Sequence, residues 1–127
     1  MWLRMNAWLV IAAVNGALAV AIGAFAAHGL SGRLAPHALG IFETGARYHM
    51  YHALAIGLSA LAMQDTAIRM AKISAWLFLC GIVLFSGSLY LLALTSFGPL
   101  AFVTPVGGIA FLAGWICLAI AATRTKP

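Results

Sequence analysis

The sequence predicts an all-α integral membrane protein: one domain, a bundle of four transmembrane helices, with both termini on the cytoplasmic side. Composition points to it first. Of 127 residues, 65% are hydrophobic and 7% charged, and the mean hydropathy is +1.06. Soluble domains carry roughly 25% charged residues, and a chain this short has too much surface for its volume to hide so much apolar area from water. The apolar residues also fall into long runs, of the order of the ~20 residues that cross a hydrocarbon core. Finally, the basic residues gather at alternate ends of those runs, as they do where a membrane protein sets its own orientation.

The first segment, residues 5–27, has no charge. Ala24-Phe25-Ala26 looks like a small-residue cleavage site, but the apolar run exceeds the roughly 7–15 residues of a signal peptide, so a retained span is expected. The connection over 29–36 is short. Pro36 suits the first turn of a helix, where its missing N–H costs nothing. Leu34, Ala38, Ile41 and Phe42 share one helical face, so 36–44 reads as an interfacial lead-in to the second segment, 45–63. That segment carries Arg47, His49 and His52 and is the least apolar. It is read as spanning because four crossings explain the charges and three do not. The third segment is 73–94. Ser96-Phe97-Gly98-Pro99 is a turn signal, and Thr104-Pro105 opens the fourth segment, 102–122. With their lead-ins, the helices are expected at about 5–28, 36–64, 72–95 and 102–123.

With four crossings, Arg4, Arg69, Lys72, Arg124 and Lys126 all fall on one side. The other side has Arg33, with Arg47 near the helix mouth. Lys and Arg favour cytoplasmic loops, so the termini and the middle loop are cytoplasmic. The net charge of +5, with Glu43 and Asp65 the acids, reads as orientation and not as nucleic-acid binding. Cys80 and Cys117 form no disulfide framework; at similar depth they could meet, but small core residues are the plain reading. Small residues recur at four-residue spacing in Ala19, Gly23 and Ala27, in Ala53 and Gly57, and in Ala110 and Gly114. Such faces let helices approach closely in lipid.

Depth follows from a rise of about 1.5 Å per residue. It places Arg47, Tyr48, His49 and His52 of the second segment, and Ser86, Ser88 and Tyr90 of the third, in the outer third. His28 and Thr104 stand at outer helix ends. The inner half has little besides Asn15 and Ser74. The candidate ligand-binding set is therefore His28, Glu43, Arg47, Tyr48, His52, Ser86, Ser88, Tyr90 and Thr104, lining a polar pocket open to the outer side. Ionisable groups within spans face a bundle interior or a wet cavity. Glu43 and Arg47 are spaced to pair on one face, and Tyr48 and His52 share another. Anchoring at the interface, the aromatic belt and Ser/Thr bonds to the local backbone explain the same residues without a ligand. His49 and His52 are spaced as a metal pair, but structural zinc needs about four ligands. Ser86 or Ser88 beside His52 lacks a nucleophile-elbow motif and an orienting acid. No catalytic residue, metal or cofactor is assigned.

Four runs carry a family resemblance. They are Gly23-Ala24-Phe25-Ala26-Ala27-His28-Gly29-Leu30; Phe42-Glu43-Thr44-Gly45-Ala46-Arg47-Tyr48-His49-Met50-Tyr51-His52-Ala53; Phe85-Ser86-Gly87-Ser88-Leu89-Tyr90; and Thr104-Pro105-Val106-Gly107-Gly108 with Gly114-Trp115. In order and over nearly the whole chain, they resemble the signatures of the YgdD-like family, small bacterial inner-membrane proteins classed as a domain of unknown function. Ala26 replaces the family's usual Gly. The resemblance implies a multi-pass protein of the bacterial inner membrane with four spans and relatives in eukaryotes. It brings no substrate, cofactor or mechanism.

Two functions follow as expectations. The first is a small-molecule, ion or lipid binding or transport-related protein. In it Arg47 meets an anionic group, although Glu43 already offsets its charge, and the histidines make occupancy depend on pH. The second is a structural or accessory subunit of a larger membrane complex, with no ligand of its own. The partners expected are the lipid bilayer and either another copy or a larger complex. A bundle this small would need one of those to transport anything. An enzyme ranks third, for want of a recognisable constellation.

Overall fold

The computed structural model describes residues 6–63 and 66–124. Arg4, Asp65 and Lys126, which enter the charge reading, lie outside the described residues, as do the expected helix limits at 5 and 64. Every element described is helical. The first rod is α1, Ala7–Phe25, which continues into a wide π-helical turn, Ala26–Leu30. Its amino end is capped by Asn6, whose side chain accepts from the Leu9 N–H at 3.1 Å, satisfying one of the free first-turn amides. Gly32 turns the chain with φ +81°, a conformation a side chain would strain. The second rod is α2, Pro36–Leu61, with the proline in its first turn. It is one continuous helix, so the expected lead-in and span are a single element.

The third rod runs from α3, Ile68–Gly81, through a second π turn, Ile82–Ser86, into α4, Gly87–Thr95. It starts at Ile68, earlier than the expected 72, so Arg69 and Lys72 belong to its first turns and not to a loop. The connection after α4 is more than a turn: Gly98–Phe102 is a 3₁₀ helix. The fourth rod, α5, is Thr104–Thr123, with Pro105 in its first turn. Three helical stretches are long and apolar enough to cross a bilayer, Ala7–Leu30, Ile68–Thr95 and Gly98–Thr123. The remaining rod, α2, is 26 residues long but more polar.

Contacts give the topology. A Cβ on Gly57 would meet Ala12, and Ala26 and Leu30 cluster with Phe42, so α2 runs back along α1. Ser59 bonds Ser74, while Tyr48 packs on Phe85, so α3 runs back along α2. Gly81 faces Phe111, Gly114 faces Phe78, and Gly107 faces Phe85, so α5 runs back along the third rod. The rods alternate in direction, which puts Arg69, Lys72 and Arg124 at one end and His28, Arg33 and Glu43 at the other.

The interior is layered along the rods. Ala67, Ala71 and Ala121 pack at the basic end. Ala12, Ile56, Phe78, Ile82 and Phe111 fill the middle. Ala26, Leu30, Phe42 and Ala93 fill the opposite end. Glycine sets the closest approach: a Cβ on Gly107 would stand 2.4 Å from the Phe85 backbone nitrogen. The small-residue expectation holds for Gly114, which Phe78 approaches closely, for Gly57, which lies in ordinary contact range of Ala12, and for Ala53, which is buried. It fails at Ala27, which is exposed, and at Gly23, which has nothing within 4 Å. Large apolar side chains such as Val20, Leu54, Val83, Phe102 and Ile109 point outward, as lipid requires.

Candidate functional site

Polar side chains inside the bundle form two hydrogen-bonded chains on α2. In the first, Asn15 of α1 donates its amide N–H to the Ile11 carbonyl at 2.9 Å. Its Oδ1 is thereby left to accept the His49 Nε2–H at 3.1 Å. His49 Nδ1 then offers its lone pair to the Tyr90 hydroxyl at 3.0 Å. Each donor faces an acceptor with a neutral imidazole. The chain joins α1, α2 and α4.

In the second, the Trp115 indole N–H of α5 donates to His52 Nε2 at 3.2 Å. An indole nitrogen only donates, so His52 carries its proton on Nδ1 and donates it to the Tyr48 carbonyl at 2.7 Å. The His52 ring stacks on Phe111 at 3.4 Å, with 6° between planes, and tilts against Phe78 at 5.6 Å. Both histidines are buried, and both nitrogens of each are engaged. Neither offers a free ligand atom, so the metal pair does not form. Among the described residues no group of three metal-ligating side chains gathers.

The nine candidate residues do not converge on one cavity. His28 is exposed in the first π turn. Glu43 and Arg47 are exposed, and the expected ion pair between them does not form among the described residues. Tyr48 is 38% exposed, with its ring against Tyr51 and Phe85. His52 lies in the middle apolar layer, deeper than the outer third expected for it. Ser88 and Thr104 do meet, their hydroxyls 2.6 Å apart, and Ser88 also donates to the Phe85 carbonyl. Tyr90 turns to His49. Ser86 makes no bond with His52; its hydroxyl is fully buried and has no partner. Lower down, the Ser59 and Ser74 hydroxyls are 2.8 Å apart, and Ser59 donates to the Ala55 carbonyl.

Asn15, His49, Phe111 and Trp115 are the partners that the candidate set lacks. Depth alone sets Asn15 apart, in the inner half. Its signal was its solitude: an amide alone in an apolar span must find a partner across a helix interface. Trp115 needs an acceptor for its N–H. Cys80 is exposed and Cys117 half-buried, both as free thiols. Two grooves of the bundle are apolar and outward-facing. One of about 280 Å³ lies between α1 and α2, over Ala13, Gly16 and Leu54. Another of about 380 Å³ lies on the third rod, beside Trp76, Cys80 and Val83.

Residues 22–108 match the model of a family described as a protein of unknown function, DUF423. The chain is similar to the UPF0382 membrane protein YwdK of Bacillus subtilis, 44% identical over 121 residues, covering 94% of this chain and 98% of that protein. It is similar to a UPF0382 membrane protein of Haemophilus influenzae, 44% identical over 122 residues, covering 95% and 97%. It is also similar to the UPF0382 inner membrane protein YgdD of Escherichia coli K12, 45% identical over 124 residues, covering 93% and 90%. No solved structure matches.

Proposed function

The chain belongs to the DUF423 family and is a multi-pass inner-membrane protein; on that premise we propose that it is a structural or accessory membrane subunit, and that its polar core locks the helices and holds no ligand. One observation carries this reading. The interior polar groups of Asn15, His49, His52, Ser59, Ser74, Ser88, Tyr90 and Thr104 all find partners within the bundle. A ligand-binding pocket would hold polar groups facing open space. Here the grooves over Gly16 and beside Trp76 are apolar, and these eight polar groups are closed, with Ser86 the exception.

We extend the proposal to topology. All four rods cross the bilayer, α2 as the shielded one, and the termini are cytoplasmic. In support, α2 is long enough to span, its interior polar groups are paired, and Arg69, Lys72 and Arg124 share one end. Cysteine accessibility at Arg33 and at Lys72 tests this. Labelling of both from the same side of the membrane would overturn it.

A second reading rests on Ser86. A buried hydroxyl without a partner costs free energy, and a small hydrogen-bonding ligand at that level would supply one, with the exposed Arg47 of α2 as its candidate anionic contact. Thermal shift with lipids and small anions separates the readings. No compound stabilising wild type more than Ser86→Ala or Arg47→Ala is the outcome expected for the structural subunit. A compound that does so would install the pocket reading.

A further inference from the structure

The two histidines of α2 are held in ways that differ toward a proton. At His49, Nδ1 accepts from the Tyr90 hydroxyl, and a phenol oxygen can accept as well as donate. A proton added at Nδ1 therefore needs only a rotation of the Tyr90 O–H, while Nε2–H keeps Asn15 Oδ1. At His52 the free position is Nε2, which faces the Trp115 indole N–H. The indole has no lone pair to offer. A proton there sets donor against donor, and the bond cannot survive in either orientation of the ring.

Aromatic faces surround His52, but among the described residues no hydrogen-bond acceptor or opposite charge replaces the lost bond at Nε2. From its own helix it meets Tyr48, by the carbonyl and by the stacked ring at 6.1 Å. From α3 it meets Phe78, and from α5 it meets Phe111 and Trp115. Tyr48 is the one titratable side chain among these contacts, and no carboxylate or cation is among them. Trp115 is 42% exposed, so its indole has room to leave.

We infer that His52 and Trp115 form an acid-sensitive latch between α2 and α5: protonation of His52 at Nε2 releases the Trp115 indole, while protonation of His49 leaves the tie among α1, α2 and α4 closed. The step is a proton taken from water and one hydrogen bond broken, with no covalent change. The latch does not depend on whether the protein is a structural subunit or a receptor.

The test is to follow the indole N–H resonances of the full chain, ¹⁵N-labelled in lipid nanodiscs, from about pH 8 to about pH 4, across the range in which histidine titrates. The expected result is loss of the hydrogen-bonded shift at Trp115 while Trp8 and Trp76 stay in place. The same loss should persist in His49→Gln and vanish in His52→Gln, whose amide can accept from the indole, donate to the Tyr48 carbonyl and not titrate. A Trp115 signal that does not move, or that moves equally in His52→Gln or together with Trp8 and Trp76, overturns the latch. Trp115→Phe keeps the question open to a second measurement if His52→Gln does not fold. Without the opposing donor, the His52 ring should take up its proton about three- to tenfold more readily, the worth of one hydrogen bond. An unchanged affinity also overturns the proposal.

Discussion

α1 and α2 are neighbouring rods that reverse the arrangement expected in water. α1 has no charged side chain, yet within Ala7–Phe25 only Ala12 and Ala19 are buried. α2 carries Glu43, Arg47, His49 and His52, yet ten of its residues are buried. In water, removing apolar surface would draw α1 inward. Lipid is as apolar as leucine, so that drive is absent, and close packing and interhelical hydrogen bonds decide which helix is surrounded. The interior goes to the helix whose polar groups need partners. α1 contributes one amide, Asn15, and a narrow strip of small residues including Ala12 and Ala19, and most of its other side chains face outward.

The contrast breaks most readily at the shielded interior. Gly107→Leu places a side chain where a Cβ alone would stand 2.4 Å from the Phe85 nitrogen. Backbone cannot yield as a side chain does, so the variant should lose at least about 1–3 kcal/mol, read as a fall in the thermal unfolding midpoint of the lipid-solubilised bundle. A wild-type midpoint would mean that α5 and the third rod do not approach so closely. Asn15→Ala comes next. It strands the His49 Nε2–H, and a loss of roughly 1–2 kcal/mol is expected. Tyr90→Phe should add little on top, because both break one chain. Additive losses would show that the two bonds act separately.

Smaller effects sharpen the exposed side of the comparison. Gly23→Ala in α1 meets nothing within 4 Å, so the gain in helix preference, about 0.5 kcal/mol, should appear as a slightly raised midpoint. A loss would reveal a packing partner for α1 and bring it into the interior. Ser86→Ala should lie within about 0.5 kcal/mol of wild type or slightly above it, since no hydrogen bond is lost. A clear loss would show that its hydroxyl has a partner beyond the protein and would favour the pocket reading.

The site was less legible than the fold. Depth counting sets Tyr90 near His49 and Ser88 near Thr104, and both pairs are hydrogen-bonded. It separated Asn15 from His49 because it locates Cα atoms and ignores the reach of side chains. It assumed an even helical pitch, whereas the π turn at Ile82–Ser86 inserts a residue into the third rod. That shifts the faces beyond it, turning Ser88 to α5 and Tyr90 to α2. The Glu43–Arg47 spacing permitted an ion pair without requiring one. At an exposed helix end, water and lipid headgroups solvate both charges, and such a pair is worth about 1 kcal/mol or less.

The sequence by itself determined the helical class, the three most apolar rods, the short connection over 29–36, the break in the chain near Gly98–Pro99, and the family. These depend on sums over neighbouring residues: hydropathy across a window, and a backbone that must satisfy its own hydrogen bonds in lipid. Only the tertiary structure decided that Asn15 bonds His49, that Trp115 rather than a serine meets His52, and that Ser86 is left alone. Those pairings depend on the register between antiparallel rods and on glycines that set their spacing. Both are relations between distant segments, to which no local sum has access.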